Sequence, residues 1–258
     1  MTSFPRSRRA VQVQHLSKWY RVDGHVVQAL ADVTLGADEG EFVSIVGPSG
    51  CGKTTLFNLI CGLSRPDGGR ILLDGREMRG ERGRVAYMPQ KDVLLPWRTL
   101  LENVLLGAEV DGQPMLQARQ EALELMSAFG LEGFEHRYPH ELSGGMRQRA
   151  ALLRTYLFHR DVLLLDEPFG ALDALTRRQM QVWLMSVWEE RRKTILFVTH
   201  DVEEAVFLSD RVYALTPRPA RVSHEMEVDL PRPRRPALLA APEFVAARAE
   251  LLGALLPG

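Results

Sequence analysis

Phe42-Val43-Ser44-Ile45-Val46-Gly47-Pro48-Ser49-Gly50-Cys51-Gly52-Lys53-Thr54 sets the architecture of this chain. The first five residues are mostly apolar and β-branched, the composition of a short buried strand. The next eight fit GxxxxGK(S/T). Behind them Leu56, Leu59, Ile60 and Leu63 recur at helical spacing and predict a helix over 53–63. Glycines let such a loop curl until its N–H groups point inward at phosphate oxygens. The helix N-terminus adds a positive dipole. Lys53 adds a full charge for the β- and γ-phosphates, and the Thr54 hydroxyl a ligand for Mg²⁺. A glycine-rich turn before a helix can be purely structural, but strand, loop and helix in this order argue for a bound nucleotide.

Outward from this loop, strands and helices alternate, which predicts an α/β fold with a largely parallel sheet. Strands are expected at 71–73, 84–87, 162–165 and 195–198, with Pro66-Asp67-Gly68-Gly69 as a turn and Asp74-Gly75 as a hairpin tip. A helix over 172–190 between two of these strands makes a βαβ unit. Another is expected over 114–129, with Leu116, Ala122, Leu123, Leu125 and Met126 on one face. Prolines 231, 233 and 236 read as a linker before a short amphipathic helix at 242–255. No internal repeat or long low-complexity tract interrupts the pattern.

Composition narrows the class. The 258 residues are 45% hydrophobic and 25% charged, ordinary for a globular chain. The 32 basic and 33 acidic side chains nearly cancel, so there is no basic footprint of a nucleic-acid partner. The runs Arg6, Arg8, Arg9 and Arg232, Arg234, Arg235 read as solvated terminal arms. Two cysteines, Cys51 and Cys61, are too few for a disulfide framework and read as reduced thiols. No apolar run approaches the roughly 18–20 residues of a membrane span, and no apolar segment follows the N-terminal arginines as a secretory signal requires. The chain is expected in the cytoplasm, reaching a membrane only through a partner.

Val162-Leu163-Leu164-Leu165-Asp166-Glu167 is an apolar strand ending in two carboxylates. Asp166 fits the Mg²⁺ shell and Glu167 the general base that polarises an attacking water. Leu142-Ser143-Gly144-Gly145 precedes a helical run, with Ser143 a good N-cap, and offers a second anion site at a helix N-terminus. Taken together and in this order, these motifs resemble the ATP-binding-cassette (ABC) ATPases over about 11–228.

That resemblance implies a phosphate-loop NTPase core with an antiparallel β subdomain and a helical signature subdomain near 91–160. The ATPase domain would span 1–230, followed by a tail at 231–258. It implies ATP and Mg²⁺, with Gly47, Pro48, Ser49, Gly50, Cys51, Gly52, Lys53, Thr54 and Thr55 at the phosphates. Tyr20 matches the aromatic residue that stacks on adenine, although with Trp19 it also fits a plain sheet-edge cover. Thr54, Gln90 and Asp166 match the metal set, and Glu167 and His200 the catalytic pair. Ser143, Gly144 and Gly145 would reach the nucleotide of a second copy in a homodimer, and Asp173 in Ala171-Leu172-Asp173 would touch that copy. Met146 stands where the family often has glutamine, which leaves open how the signature meets the opposing subunit.

Leu94, Leu95 and Trp97 are bulky apolar residues beside Pro96, suited to burial or to docking another protein. Leu94-Leu95-Pro96-Trp97-Arg98-Thr99 is similar to the nitrate/sulfonate/taurine branch of importer ATPases, which also includes importers of thiamine-precursor pyrimidines. A separate integral membrane permease and an external solute-binding protein are then expected, with this chain on the cytoplasmic face of the inner membrane. Two rivals remain: a soluble cassette ATPase of DNA repair or translation, and a regulatory module with little turnover. Short spacing between Gln90 and Leu142 disfavours the first, and the presence of Glu167 and His200 the second. The tail is open between an arm on a partner and a disordered end.

Overall fold

The computed structural model describes residues 8–256; Arg6 of the N-terminal basic run lies outside them. Elements follow in the order β1 (Arg9–Val22), β2 (His25–Asp38), β3 (Phe42–Val46), α1 (Lys53–Ile60), β4 (Gly68–Leu73), β5 (Arg76–Glu77), β6 (Ala86–Met88) and α2 (Leu100–Val104). Next come α3 (Leu106–Val110), α4 (Met115–Ala128), α5 (Gly144–Tyr156), β7 (Val162–Asp166), α6 (Ala174–Arg191) and β8 (Thr194–Thr199). The last are α7 (Val202–Leu208), β9 (Arg211–Leu215), β10 (Val222–Glu227) and α8 (Pro242–Leu255).

Two sheets form. A four-stranded antiparallel one runs β2-β1-β4-β5, and a six-stranded one runs β10-β9-β3-β8-β7-β6. In the larger sheet β3, β6, β7, β8 and β9 are parallel, and β10 pairs antiparallel with β9 at the edge. Its central parallel strands β3, β7 and β8 are buried on both faces, as covered parallel strands must be. Parity assigns each side chain its layer: Val43, Ile45, Val162, Leu164, Leu196 and Val198 pack toward α1 and the antiparallel sheet. Phe42, Val46, Leu163, Leu165, Ile195 and Phe197 pack toward the remaining helices.

Local chemistry sets the boundaries. The helix expected over 53–63 stops at Ile60, because Gly62 turns the chain at φ +77° where an added Cβ would lie 2.4 Å from the Glu81 carbonyl. The helix expected from 172 starts after Asp173, whose carboxylate caps the N–H groups of Leu175 and Thr176. On α4 the buried face is Ala118, Ala122 and Met126, while Leu116 is 82% exposed and Leu123 lies at the surface. Of the face expected from sequence, Ala122 and Met126 are buried and Leu125 packs against the core, while Leu116 and Leu123 are left outside.

The tail differs from both expectations for it. Arg232 pairs with Asp210 at 2.7 Å, donates to the Leu208 carbonyl and lies over the Trp188 ring. Arg234 is buried and donates to the carbonyls of Val206, Phe207, Ser209 and Val228. Only Arg235 of this run is solvated. Beyond it, α8 packs on α7, β9 and β10 through buried Phe244 and Leu251. The segment is thus part of its own chain's core, because two guanidiniums replace the hydrogen bonds that the end of α7 lacks.

Candidate functional site

Parallel strands deliver their carboxyl ends to one edge, where ligands bind in open α/β sheets. Val46 leads into the glycine loop, Met88 toward Gln90, Asp166 into Glu167 and Thr199 into His200. Gly52 turns the loop into α1 at φ +135°; a Cβ there would meet Leu30 Cδ2 at 2.8 Å, so only glycine allows the loop to seat on β2. The resulting hollow, about 240 Å³, is lined by Ser49, Gly50, Lys53, Thr54, Gln90 and Glu167, among others.

Lys53 is buried, its ammonium donating to the carbonyls of Gly47 at 2.8 Å and Pro48 at 3.0 Å. Thr54 Oγ1 donates to Asp166 Oδ2 at 2.8 Å. Burial raises Asp166 above the ordinary carboxylate range and the charge of Glu167 adds to this, while the Thr54 hydroxyl and Lys53 oppose it. A divalent cation would favour the ionised form further. The hard-oxygen donors of Thr54, Asp166 and Gln90 fit Mg²⁺. Among the described residues no group of three His, Cys, Asp or Glu could hold a metal alone.

Glu167 sits at φ +49°, a left-handed conformation uncommon outside glycine. Its Oε2 takes the Gln90 amide at 3.2 Å and faces His200 Nδ1 at 3.3 Å. Gln148, one turn into α5, donates to the Glu167 main-chain oxygen at 3.3 Å. Sequence reasoning missed Gln148, although its place just after the Ser143 cap was a usable signal. It also missed Arg218, whose guanidinium donates to the Gly50 carbonyl at 2.7 Å from the loop between β9 and β10. Nothing in the sequence near Arg218 points across the fold to residue 50.

Other expected site residues lie apart from the hollow. Tyr20 is on β1, partly exposed, with the Lys18 ammonium 5.4 Å from its ring centre. Ser143 caps α5 by accepting from the Met146 N–H; Gly144 follows at the surface and Gly145 lies beside Leu172. The Met146 side chain is partly buried and packs on the main core. Asp173 is exposed apart from its capping bonds.

Of the three apolar residues expected at a docking surface, Leu94 is core, only 8% exposed, which corrects that expectation. Asn103, fully buried, holds the 95–99 loop through four hydrogen bonds to main-chain atoms of Leu95, Arg98 and Thr99, and this turns Leu94 inward. Leu95 lines a second, mostly apolar hollow of about 680 Å³ with Leu63, Val93, Leu106 and Phe158. Trp97 stands 71% exposed.

A glycine loop between a central parallel strand and a helix, with a carboxylate strand end bonded to its threonine, defines the phosphate-loop nucleotide hydrolases. Residues 30–170 match the family described as ABC transporter. An uncharacterised ABC transporter ATP-binding protein of Methanocaldococcus jannaschii is 44% identical over 97% of this chain and 92% of its own length. The taurine import ATP-binding protein of Yersinia pestis is 44% identical over 87% of this chain and 90% of its own. That of Rhizobium johnstonii is 41% identical over 93% and 94%. A bacterial ABC transporter cassette solved as a dimer superposes with a TM-score of 0.79 at 32% identity, over 85% of this chain and 99% of that one. The chain belongs to the ABC transporter family, as an ATP-binding cassette that hydrolyses ATP.

Proposed function

We propose that two copies of this chain drive a membrane permease that imports a small sulfonate of the taurine class. Relatives of the nitrate and thiamine-precursor type remain within the same branch as alternatives for the solute. An external solute-binding protein would deliver it, and this chain would sit peripherally on the cytoplasmic face of the membrane. Among the described residues no helix is long and apolar enough to cross a membrane. The taurine importer ATPases that match nearly end to end support this reading. Among the relatives described here none carries a repair or translation name.

In this reading residues 1–230 are the ATPase unit, with the stretch 91–160 as its helical part and the segment 231–258 attached. Lys53 and the loop amides hold the phosphates. Thr54, Asp166 and Gln90 hold Mg²⁺, which would neutralise phosphate charge. Glu167 accepts a proton from the attacking water, and His200 orients that carboxylate. Tyr20 covers the adenine. Ser143, Gly144 and Gly145 stand outside their own chain's hollow, which suits them to the nucleotide of a second copy, with Asp173 beside them at the contact.

One observation carries the coupling: Thr54 and Gln90 line both the phosphate hollow and the apolar one. A permease segment seated against Leu95, and reaching the exposed Trp97 two residues on, would therefore bear on the groups that hold the nucleotide. The test is a tagged Glu167→Gln variant captured from native membranes with ATP and Mg²⁺. The variant should bind ATP, turn over at least about a hundredfold more slowly, and bring down a multi-span permease. Recovery of soluble partners alone, beside a control transporter recovered intact, would overturn the importer reading.

A further inference from the structure

Arg218 has no part in any of the motifs that point to the nucleotide, yet it lines the phosphate hollow with Lys53, Gln90 and Glu167. It sits at the tip of the loop between β9 and β10, on the opposite flank of the sheet from Glu167. That loop is firmly built. Thr216 N–H donates to the Arg221 carbonyl at 3.0 Å, and Arg221 N–H returns to Thr216 Oγ1 at 3.0 Å. Ala220, fully buried, exchanges main-chain hydrogen bonds with Ala29 and Ala31 of β2 at 3.0 and 2.9 Å. The same Ala220 lies under Gly52, 3.7 Å from where a Cβ would stand there. Loop and phosphate loop therefore share one support, and Arg218 is presented to the hollow by a fixed backbone.

The charge of Arg218 is unmatched. Among the described residues it makes no ion pair; its one bond is to the neutral Gly50 carbonyl. The acid across the hollow, Glu167, is engaged by Gln90 and His200. A guanidinium always carries its charge and presents a planar fork that suits phosphate oxygens. Its place along the loop sets which phosphates it can meet. Lys53, the group that reaches β- and γ-phosphates, rests on Gly47 and Pro48, and Arg218 rests on Gly50, in the same first half of the loop. Thr54 and Thr55 stand at the other end, on α1.

We propose that Arg218 is a second phosphate-binding cation of this site, exchanging its bond to the Gly50 carbonyl for the β- or γ-phosphate of the bound nucleotide. It acts by binding. The inference rests on the reading of the hollow as the ATP site. A brace that merely stiffens the loop through Gly50 is the competing role, and it makes different demands: it would matter to every ligand and to the ligand-free protein.

The experiment titrates ATP and AMP into the full chain and its Arg218→Ala, Arg218→Lys and Lys53→Ala variants. EDTA withholds Mg²⁺ so that turnover stops, and two salt concentrations are compared. Loss of a charge-assisted phosphate bond should weaken ATP by about tenfold in Arg218→Ala and leave AMP and the nucleotide-free Tm unchanged. Arg218→Lys should recover part of that loss at low salt and give it up at high salt. Wild-type ATP affinity in Arg218→Ala would overturn the proposal. So would a parallel loss for ATP and AMP with a lowered nucleotide-free Tm, which is the mark of a brace. If Lys53→Ala also kept its ATP affinity, the phosphate-site reading itself would fall, and the two failures are thereby told apart.

Discussion

Replacing Arg234 by Met should loosen the docked tail while leaving its carbon stem packed. In the native chain the Arg234 guanidinium donates to Val206 at 3.0 Å, Phe207 at 3.1 Å, Ser209 at 2.6 Å and Val228 at 3.2 Å. Two of these oxygens belong to the last turn of α7, where helical carbonyls have no partner of their own. Burial is the largest influence on this side chain and lowers it to about 10, so part of what its hydrogen bonds supply is spent on desolvation. That shift lies above the working range, and both folded and unfolded chains carry the proton below pH ~10, so the contribution is flat with pH there. Met removes the desolvation and the bonds together, and the net change is governed by the carbonyls left dry. At about 1–3 kcal/mol for each buried orphan, with some regaining water as the segment lifts, the expected loss is about 4 kcal/mol. Urea unfolding measures it, and hydrogen exchange over 228–256 locates it. Arg235→Met, on an exposed neighbour, should stay within about 0.5 kcal/mol. Equal stabilities for the two variants, with unchanged exchange in α8, would refute the view that Arg234 pins the tail.

Leu94 and Trp97 should separate cleanly: Leu94→Ala opens the core at an 8% exposed site and should cost about 2–5 kcal/mol. Trp97→Ala, at a 71% exposed site, should leave folding and soluble ATPase intact while lowering transport, and comparable losses of stability would return Trp97 to the core. Glu204 offers a pH test: burial raises it, the charge of Asp201 adds, and hydrogen bonds from Thr199 and Gln181 with the charge of Arg177 oppose. A folded value above the ordinary 4.5 gives stability that is full below pH 4.5 and is lost as pH rises through the folded value. Glu204→Gln should therefore gain on the wild type as pH climbs through that window, and a stability difference constant from about pH 4 to 7 would refute the assignment.

The parts legible in sequence were those whose signal is local. The glycine loop, the strand ending in Asp166 and Glu167, and the capping residue Ser143 each act within a few residues of themselves, so spacing alone exposes them. What stayed hidden depends on partners far along the chain. Arg232 and Arg234 sit among prolines and read as a solvated arm because arginine is rarely buried. Their partners are Asp210, Trp188 and the carbonyls at the end of α7, none of them near in sequence. Leu94 and Leu95 are neighbours of one chemical type, and only the hold of Asn103 on the following loop decides which faces inward. On α4 periodicity identified the helix and its buried Ala122 and Met126 but also favoured Leu116 and Leu123, which the structure leaves at the surface while Ala118 goes inside.

Why distant loops should respond together follows from Glu167. One oxygen of its carboxylate, Oε2, takes the Gln90 amide and faces His200, and among the described residues no side chain donates to Oε1. A carboxylate held at one oxygen presents the other in a fixed direction, which is what a base for a positioned water needs. Its main-chain oxygen takes Gln148, so α5, the helix that Ser143 begins, is tied to the same residue. The left-handed backbone at Glu167 costs of order 1 kcal/mol and persists because these contacts define it. Under the proposed function Gln90 answers to the permease groove, Gln148 to the helix that meets a second copy, and His200 to the end of β8. Moving any one of them by a fraction of an ångström redirects Oε1. Under that same proposal the base would be aligned only when groove, partner and sheet agree, which would link hydrolysis to the assembled transporter.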